Sequence, residues 1–526
     1  MGNFSIHAHF FNAKKVLRQF IKPFLVLFGV YLVAMLSIWR SGFSYEDDLW
    51  RAFYGYAWPD DFNRNTSTNL MQGLNVNKLL TDISPLPQIL AVAILAVAGI
   101  ILTHTICNGK ITYLALLPSL FIGLFPFMHG VLSFKFDALC IALSVFACIL
   151  PFIAWRKILE IAVWRSNLFT LIKSSVLILL SLFTMWTSYQ AANGIFLLLI
   201  LFLALNSYLE KAKVTKIIKT SMFFLINYLI SGFIFKLTLS AEKYYHDIST
   251  FSLSELPAGI MRNIQKLLSI MYASMNKEWK VLILLFFACF MLTLFVFSAR
   301  KVVFRFVNCF LGSVIVAICI PLSFGVFLLL KEPLFYGRQL IGIGILPAAI
   351  GVIIVHIIDY KQGVFTKLKV HKAIKAALIS PALVLLYSFI VFSLALGNGF
   401  ADQDRYGNFR TELLLNDLSR IYTSKEAVAK TTMQIQGNIG MSTVMKHVNY
   451  VYPVTKTLLM RSSYGLSLID LGHAKLQYYY SREQKFAESY PPKGEKWDCD
   501  QMKTLLDSYY HKISEGSEGK VCVVLK

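Results

Sequence analysis

Eleven long apolar stretches constrain the fold of this chain more than any other feature of its sequence. A helix that crosses a bilayer needs roughly 20 mostly apolar residues. The stretches lie at about 23–40, 86–105, 111–128, 138–154, 174–190, 192–209, 220–239, 280–298, 306–330, 339–358 and 374–396. The chain is 56% hydrophobic and 15% charged, whereas a soluble domain is about 25% charged. We therefore predict a polytopic α-helical membrane protein with about 11 transmembrane helices, and not a string of soluble domains.

The loop charges predict the orientation of these helices. Alternate loops, counted from the N-terminal segment, carry 21 Lys and Arg residues and only three acids, Glu160, Glu210 and Asp359. These loops hold +18 of the formal net charge of +22. Cytoplasmic loops of membrane proteins carry an excess of Lys and Arg. We expect a cytoplasmic N-terminus and an external C-terminus, and the positive charge requires no nucleic-acid partner.

The long polar segments then all fall on the external face. Two are loops, 41–85 and 240–279, and the last is 397–526, which is long enough for a small folded domain. Its pattern predicts two strands and two helices, at Thr431 to Gln436, Val521 to Leu525, Asp404 to Tyr422 and Ser442 to Tyr450. We predict a membrane module over 1–396 and an extracytoplasmic α+β domain over 397–526.

Cysteine usage separates two residues from the other six. Those six lie in or beside apolar stretches without CxxC spacing, as is typical of small buried residues. Cys499 and Cys522 lie in the external domain, where disulfides can form; they are either a disulfide pair or two unrelated thiols. The ten histidines are scattered and no HExxH spacing occurs, so we expect no dedicated metal site.

An acidic run directly follows the first apolar stretch. Glu46, Asp47 and Asp48 are consecutive, and such neighbouring carboxylates raise one another's pKa. One carboxylate could remove the proton from an acceptor hydroxyl. We favour Asp47 because acids flank it on both sides. The alternative is a solvated loop with a helix-capping Asp.

Three further segments carry polar side chains at predicted external ends of helices. Lys135 and Asp137 lie between the third and fourth stretches, where they could bind a phosphate or form a local ion pair. Tyr189 and Gln190 end the fifth stretch, as sugar ligands or as ordinary interfacial anchors. Arg338 precedes the tenth stretch; its guanidinium suits a phosphate, although an arginine there could also simply snorkel.

Taken in chain order, these segments resemble the serotype-converting O-antigen glucosyltransferase family, type-II Gtr. The resemblance rests on Asp47-Asp48-x-x-Arg51-x-x-x-Gly55-Tyr56-x-Trp58, Leu132-Ser133-Phe134-Lys135-Phe136-Asp137, Tyr189-Gln190-Ala191-Ala192, Arg338, Gly397-Asn398, Gln403, Asp417-Leu418, Ile435-x-Gly437-x-Ile439-Gly440 and Tyr452-Pro453.

The resemblance implies a GT-C-like membrane glycosyltransferase of the bacterial cytoplasmic membrane. Such an enzyme moves a hexose, expected to be glucose, from a polyprenyl-phosphate donor such as undecaprenyl phosphate. The acceptor is the O-antigen of lipopolysaccharide, or another surface glycan, on the outer face. The donor contains no nucleotide, so neither a cofactor nor a metal is expected.

For such a reaction we expect three groups of site residues. Asp47 or Asp48 would be the catalytic base. The donor phosphate would contact Lys135, Arg338 and Arg51. The sugar and acceptor would contact Asp137, Tyr56, Trp58, Arg64, Tyr189 and Gln190.

Two other classes of function remain open. A transporter or flippase of lipid-linked sugar would place ionisable residues within the membrane helices, whereas here nearly all lie at helix ends. A non-catalytic partner in envelope assembly would use the external domain as a binding module. An assay of the purified protein with lipid-linked sugar would distinguish the three classes. Sugar transfer would indicate the enzyme, movement of the lipid across the membrane the transporter, and neither activity the non-catalytic partner.

Overall fold

The structure is a computed structural model that describes residues 6–58, 63–161, 164, 167–238, 249–299, 301–360, 368–424, 431–459, 487–488 and 497–526. It divides into two compact units. The helical unit comprises Met1–Met35, Ala57–Lys78 and Ile83–Ser393. The sheet unit comprises Leu36–Tyr56, Leu79–Asp82 and Leu394–Lys526. The acidic run therefore belongs to the sheet unit, together with the C-terminal residues. Of the segments discussed above, residues 59–62, 239–248, 425–430, 460–486 and 489–496 lie outside the described part of the chain.

The α-helices are, in chain order, α1 (Ile6–Arg40), α2 (Asp48–Tyr54), α3 (Asn65–Asn75), α4 (Leu86–Ile106), α5 (Tyr113–Leu116), α6 (Phe121–Leu124), α7 (Pro126–Ser133), α8 (Ala138–Ile149), α9 (Trp155–Glu160), α10 (Leu168–Ser188), α11 (Asn193–Leu209), α12 (Val214–Thr238), α13 (Leu256–Ser274), α14 (Lys277–Phe297), α15 (Val302–Leu322), α16 (Ile345–Tyr360), α17 (Leu368–Ile421), α18 (Thr443–Val451) and α19 (Val454–Leu458).

Ten helical segments of the described chain are long and apolar enough to cross a membrane. They are Gln19–Arg40, Leu86–Ile106, Ala138–Glu160, Leu168–Ser188, Gln190–Leu209, Val214–Thr238, Lys277–Phe297, Val302–Leu322, Ile341–Asp359 and Ala373–Ile421. Each corresponds to one of the predicted stretches. The prediction of a polytopic helical membrane protein is confirmed.

The remaining stretch, 111–128, is not a straight helix. It forms a bent pair, Tyr113–Leu124 and Pro126–Ser133, whose axes differ by 59°. Pro126 is the first residue of α7, and Phe125 before it is extended, with φ −62° and ψ 135°. A proline ring disfavours the helical conformation in the residue before it. The bend places α7, and the Phe134–Asp137 segment after it, at a new angle.

The last apolar stretch also differs from its prediction. The sequence predicted a membrane helix over 374–396 and a separate helix from Asp404 to Tyr422, whereas α17 is one helix of 54 residues. Gly397 does not end it; a Cβ there would lie 2.3 Å from the Ser37 carbonyl carbon. The glycine serves close packing against α1, and the backbone hydrogen bonds of a helix continue regardless of how apolar its side chains are.

The C-terminal strands form one five-stranded sheet. The strands are β1 (Thr432–Gln436), β2 (Ala487–Glu488), β3 (Lys503–Asp507), β4 (His511–Glu515) and β5 (Lys520–Leu525), in the order β2-β1-β5-β4-β3. β1 pairs in parallel with β2 and β5, whereas β4 pairs antiparallel with β3 and β5. The two predicted strands are β1 and β5, which are neighbours. Their apolar face packs on Leu414 and Leu418 of α17.

Three polar or covalent links hold the sheet unit together. Cys499 and Cys522 form a disulfide, with their Cα atoms 5.8 Å apart. Arg410, 2% exposed, donates to the backbone oxygens of Tyr510 and Lys526. His511 Nε2 lies 3.0 Å from an Asp417 oxygen. Burial lowers the pKa of His511 more than the Asp417 carboxylate raises it, so the imidazole favours its neutral form. Asp417 thus stabilises the fold.

Candidate functional site

The acidic run is organised by the short helix α2. Asp47 immediately precedes the helix, and Arg51 lies one turn further on. Both Nε and Nη2 of Arg51 donate to Asp47 Oδ2, at 3.0 and 2.8 Å. Residues four apart share one helix face, which permits this pair. The Arg51 guanidinium also lies 5.5 Å from the centre of the Tyr56 ring. Arg51 is 4% exposed and thus holds Asp47 in one orientation.

Asp48 has a different environment, although it is the next residue. Its side chain is 1% exposed, and Oδ2 accepts the backbone N–H of Tyr45 at 3.1 Å. The helix then ends at Gly55, whose φ of 66° favours glycine. The Gly55 carbonyl accepts the Leu80 N–H at 2.8 Å, and a Cβ would lie 2.9 Å from the Leu80 oxygen. Asp48 and Gly55 therefore fix the shape of the loop.

The Asp47 side chain is the more accessible of the two, with 32% of its surface exposed. Its second oxygen, Oδ1, has no hydrogen-bond partner within the described part of the chain. The same holds for the indole Nε1 of Trp50, whose ring stacks on Tyr54 at 5.4 Å. Since buried polar atoms nearly always have partners, both atoms suit the hydroxyls of a ligand. The sequence prediction missed Trp50, although an indole donor within the acidic motif was a usable signal.

A second cluster lies in the helical unit; we name Arg64, Phe134, Tyr189, Tyr336 and Arg338 the arginine cluster. The Arg338 guanidinium lies 5.7 Å from the centre of the Phe134 ring and 5.8 Å from that of Tyr336. Tyr189 donates its hydroxyl to the Arg338 carbonyl at 3.2 Å. The Arg64 guanidinium lies over the third aromatic ring of the cluster, that of Tyr189, 5.1 Å from the ring centre. Two guanidinium groups are thereby positioned by aromatic faces.

The C-terminal end of α10 holds Tyr189 in place. The hydroxyls of Thr66 and Thr187 hydrogen-bond at 2.6 Å, and Ser67 donates to the Ser188 carbonyl at 3.1 Å. These bonds join α3 to α10 immediately before Tyr189. Residues distant in sequence therefore converge on this turn.

A buried amide fixes the other side of the same turn. Asn193 donates to the Gln190 carbonyl at 2.7 Å. Its Oδ1 accepts from the Tyr228 hydroxyl and the Val326 N–H, both at 3.0 Å. The position of the Gln190 backbone is thus set by this amide, and the Gln190 side chain is half-buried.

The turn between α7 and α8 contributes Lys135 and Asp137. Lys135 is half-buried and immediately follows Phe134, on which Arg338 stacks. Asp137 is 5% exposed and directly precedes the first residue of α8. A carboxylate at a helix N-terminus is favoured by the helix dipole. Lys135 is therefore the next residue after the one whose ring lies under Arg338.

The predicted site residues have different surroundings in the structure. Arg51 forms an ion pair with Asp47. Tyr189 and Trp58 are 4% and 5% exposed, and neither ring offers an open face to a sugar. Tyr56 is exposed. Gln339, which the sequence prediction missed, has a buried Oε1 without a hydrogen-bond partner in the described residues.

Among the residues that the structure describes, no group of three or more His, Cys, Asp or Glu side chains could hold a metal ion.

The fold is that of a polytopic membrane protein. Its helical unit carries Arg64 and Arg338 over aromatic rings, and its sheet unit carries the Asp47 carboxylate held by Arg51. The family model described as Glucosyl transferase GtrII matches residues 36–349. The chain belongs to this family, as the sequence resemblance predicted, and is a glucosyltransferase that uses a sugar donor and a glycan acceptor. No curated protein and no solved structure matches it. The matched residues include both clusters, whereas the landmarks from Gly397 to Pro453 lie beyond them.

Proposed function

We propose that the chain transfers glucose from a polyprenyl-phosphate donor to an O-antigen or similar surface glycan. The reaction would occur at the outer face of the bacterial cytoplasmic membrane, on a GT-C-like fold. The observation that carries the proposal is the Arg338 guanidinium over the Phe134 ring, at the ends of membrane helices, with Lys135 as the residue that follows Phe134. A phosphate attached to a lipid lies at that depth of the membrane.

Each cluster has one part in the proposed reaction. The acceptor hydroxyl gives its proton to Asp47 as its oxygen bonds to C1 of the glucose. The bond between C1 and the phosphate oxygen breaks, and the phosphate leaves with the electron pair. Arg338 and Lys135 neutralise that charge where it develops. Arg51 acts as a positioning residue that keeps Asp47 in one rotamer.

Sugar recognition would use polar atoms that have no hydrogen-bond partner among the described residues. Trp50 Nε1 can donate to a sugar hydroxyl, whereas Gln339 Oε1 can accept from one. The exposed Tyr56 ring offers a stacking surface. Trp58, Tyr189 and Arg64 then support the site instead of contacting the sugar directly.

Purified full-length protein tests this proposal directly. We expect transfer of glucose to a glycan acceptor from polyprenyl-phosphate glucose, and none from a nucleotide-linked glucose. Transfer from the nucleotide donor alone would reject the lipid donor. Movement of the donor lipid across liposomes, without transfer, would indicate a flippase, and neither activity would indicate a non-catalytic partner.

The proposed orientation makes a separate prediction. Reporter fusions after Lys219 and Lys375 should report a cytoplasmic location, because the basic loops lie on that side. Fusions after Lys280 and Gln403 should report the opposite side. Phosphatase and fluorescent-protein reporters measure this in pairs at each position. A cytoplasmic result after Gln403 would contradict both the orientation and the outer-face reaction.

A further inference from the structure

A basic cavity lies at the other end of the membrane helices from the arginine cluster. It has a volume of about 670 Å³ and is formed by the C-terminal ends of α11 and α14 and the first turns of α15. Helix α11 begins at Asn193, beside the turn that carries Tyr189, and runs for 17 residues. At 1.5 Å per residue, the cavity is about 25 Å from the arginine cluster. Neither the proposed reaction nor the family assignment uses it.

Three cations line this cavity, Lys211, Lys301 and Arg305, and none of its described lining residues is acidic. Arg305 is held in place, because its Nε donates to the Ala299 carbonyl at 3.0 Å and its guanidinium stacks on Phe295. Lys211 and Lys301 are exposed at the rim. Like charges gathered around one concave surface repel one another and favour an anionic ligand.

A buried amide in the cavity wall independently indicates a ligand. Asn308 is 4% exposed and lines the cavity. Its Nδ2 donates to Ser298 Oγ at 2.6 Å, and the Ser298 hydroxyl donates in turn to the Leu294 carbonyl. The remaining atom, Asn308 Oδ1, has no hydrogen-bond partner among the described residues. A buried carbonyl oxygen without a partner needs a donor such as a hydroxyl.

We propose that this cavity binds the headgroup of an anionic phospholipid that carries free hydroxyls, as phosphatidylglycerol does. The phosphodiester would contact Lys211, Lys301 and Arg305, and a glycerol hydroxyl would donate to Asn308 Oδ1. Basic pockets between membrane helices are known to hold lipid headgroups of this kind. Val303, Phe306 and Phe310 of α15 are exposed on one helix face beside the cavity, where they would contact the acyl chains. The proposal does not depend on the reaction proposed above.

The test measures lipid retained by the purified full-length protein, by native mass spectrometry. Replacing Lys211, Lys301 and Arg305 together by glutamine removes the three positive charges. The triple variant should bind phosphatidylglycerol on the order of a hundredfold more weakly, because each cation near an anionic lipid contributes about fivefold to the affinity. Lys213, Lys216 and Lys219 replaced together by glutamine form the matched control, because they remove the same charge from the same end outside the cavity. This control should bind as the unmodified protein does.

The amide has its own prediction within the same experiment. Asn308→Ala should lose the preference for phosphatidylglycerol over phosphatidic acid, which lacks the headgroup hydroxyls. Ser298→Ala, which removes the partner of Asn308 Nδ2 and leaves Oδ1 in place, should keep that preference. Three results would overturn the proposal: equal weakening by both triple variants, equal retention of phosphatidylcholine and phosphatidylglycerol, or displacement of the lipid by excess inorganic phosphate.

Discussion

Replacing Asp47 by asparagine should lower glucosyl transfer by about 10²–10⁴-fold, the loss typical of a missing general base. Asparagine has nearly the same shape, and its amide oxygen can still accept from Arg51. The substitution therefore removes the base while preserving the geometry of α2. The measurement is the initial rate of transfer to the glycan by purified protein, normalised to the amount inserted in the membrane.

Asp48→Asn is the matched control for this experiment, since it makes the same chemical change one residue away. An amide oxygen at position 48 can still accept the Tyr45 N–H, and the carboxylate is not exposed to a substrate. We expect a rate within about tenfold of normal, well short of the loss of a base. A more severe loss for Asp48→Asn than for Asp47→Asn would reverse the assignment. Normal transfer by both variants would direct the search for the base to Asp137.

Replacing Arg338 by alanine should lower transfer by about 10²–10³-fold, because the charge that develops on the leaving phosphate loses its main partner. Lysine keeps the charge and loses the planar fork that binds two oxygens at once. Arg338→Lys should therefore retain partial activity. Rates measured over a range of donor concentrations would separate weaker donor binding from slower chemistry.

Arg262→Ala provides the control for arginine loss in general. Arg262 also lies over a phenyl ring, 5.3 Å from the centre of Phe251, but it is exposed on α13 and has no part in the proposed reaction. Its replacement should leave the rate unchanged. If Arg338→Ala and Arg338→Lys both behave like Arg262→Ala, Arg338 is a snorkelling side chain and the phosphate site is elsewhere.

The contacts between the residues of the arginine cluster could not be predicted from the sequence. Arg64, Tyr189 and Arg338 were each singled out from local patterns, at positions more than 100 residues apart. No local pattern could show that the Tyr189 hydroxyl holds the Arg338 backbone, or that Arg64 covers the Tyr189 ring. Those contacts depend on how α3, α10 and the turn before α16 pack.

The loop acids give a similar example. The sequence presents Glu210 as one of three acids among many cations. In the structure its Oε1 accepts from His356 at 2.6 Å and from Asn108 at 2.7 Å, while Oε2 accepts from Arg156 at 3.2 Å. The carboxylate joins the ends of four helices. Burial would raise its pKa, yet these partners together lower it, so Glu210 stays charged and keeps these contacts.

The sequence by itself determined the features that depend on local composition. The bilayer requires long apolar helices, so their approximate number and bounds could be predicted without a structure. The residue types suited to acid–base and phosphate chemistry could be identified in the same way. The tertiary structure alone decided the bend at Pro126, the continuity of α17 and the different environments of Asp47 and Asp48. Those outcomes depend on packing between residues distant in the chain. Two adjacent carboxylates have equal chemistry in a sequence, and only their burial and hydrogen-bond partners distinguish them.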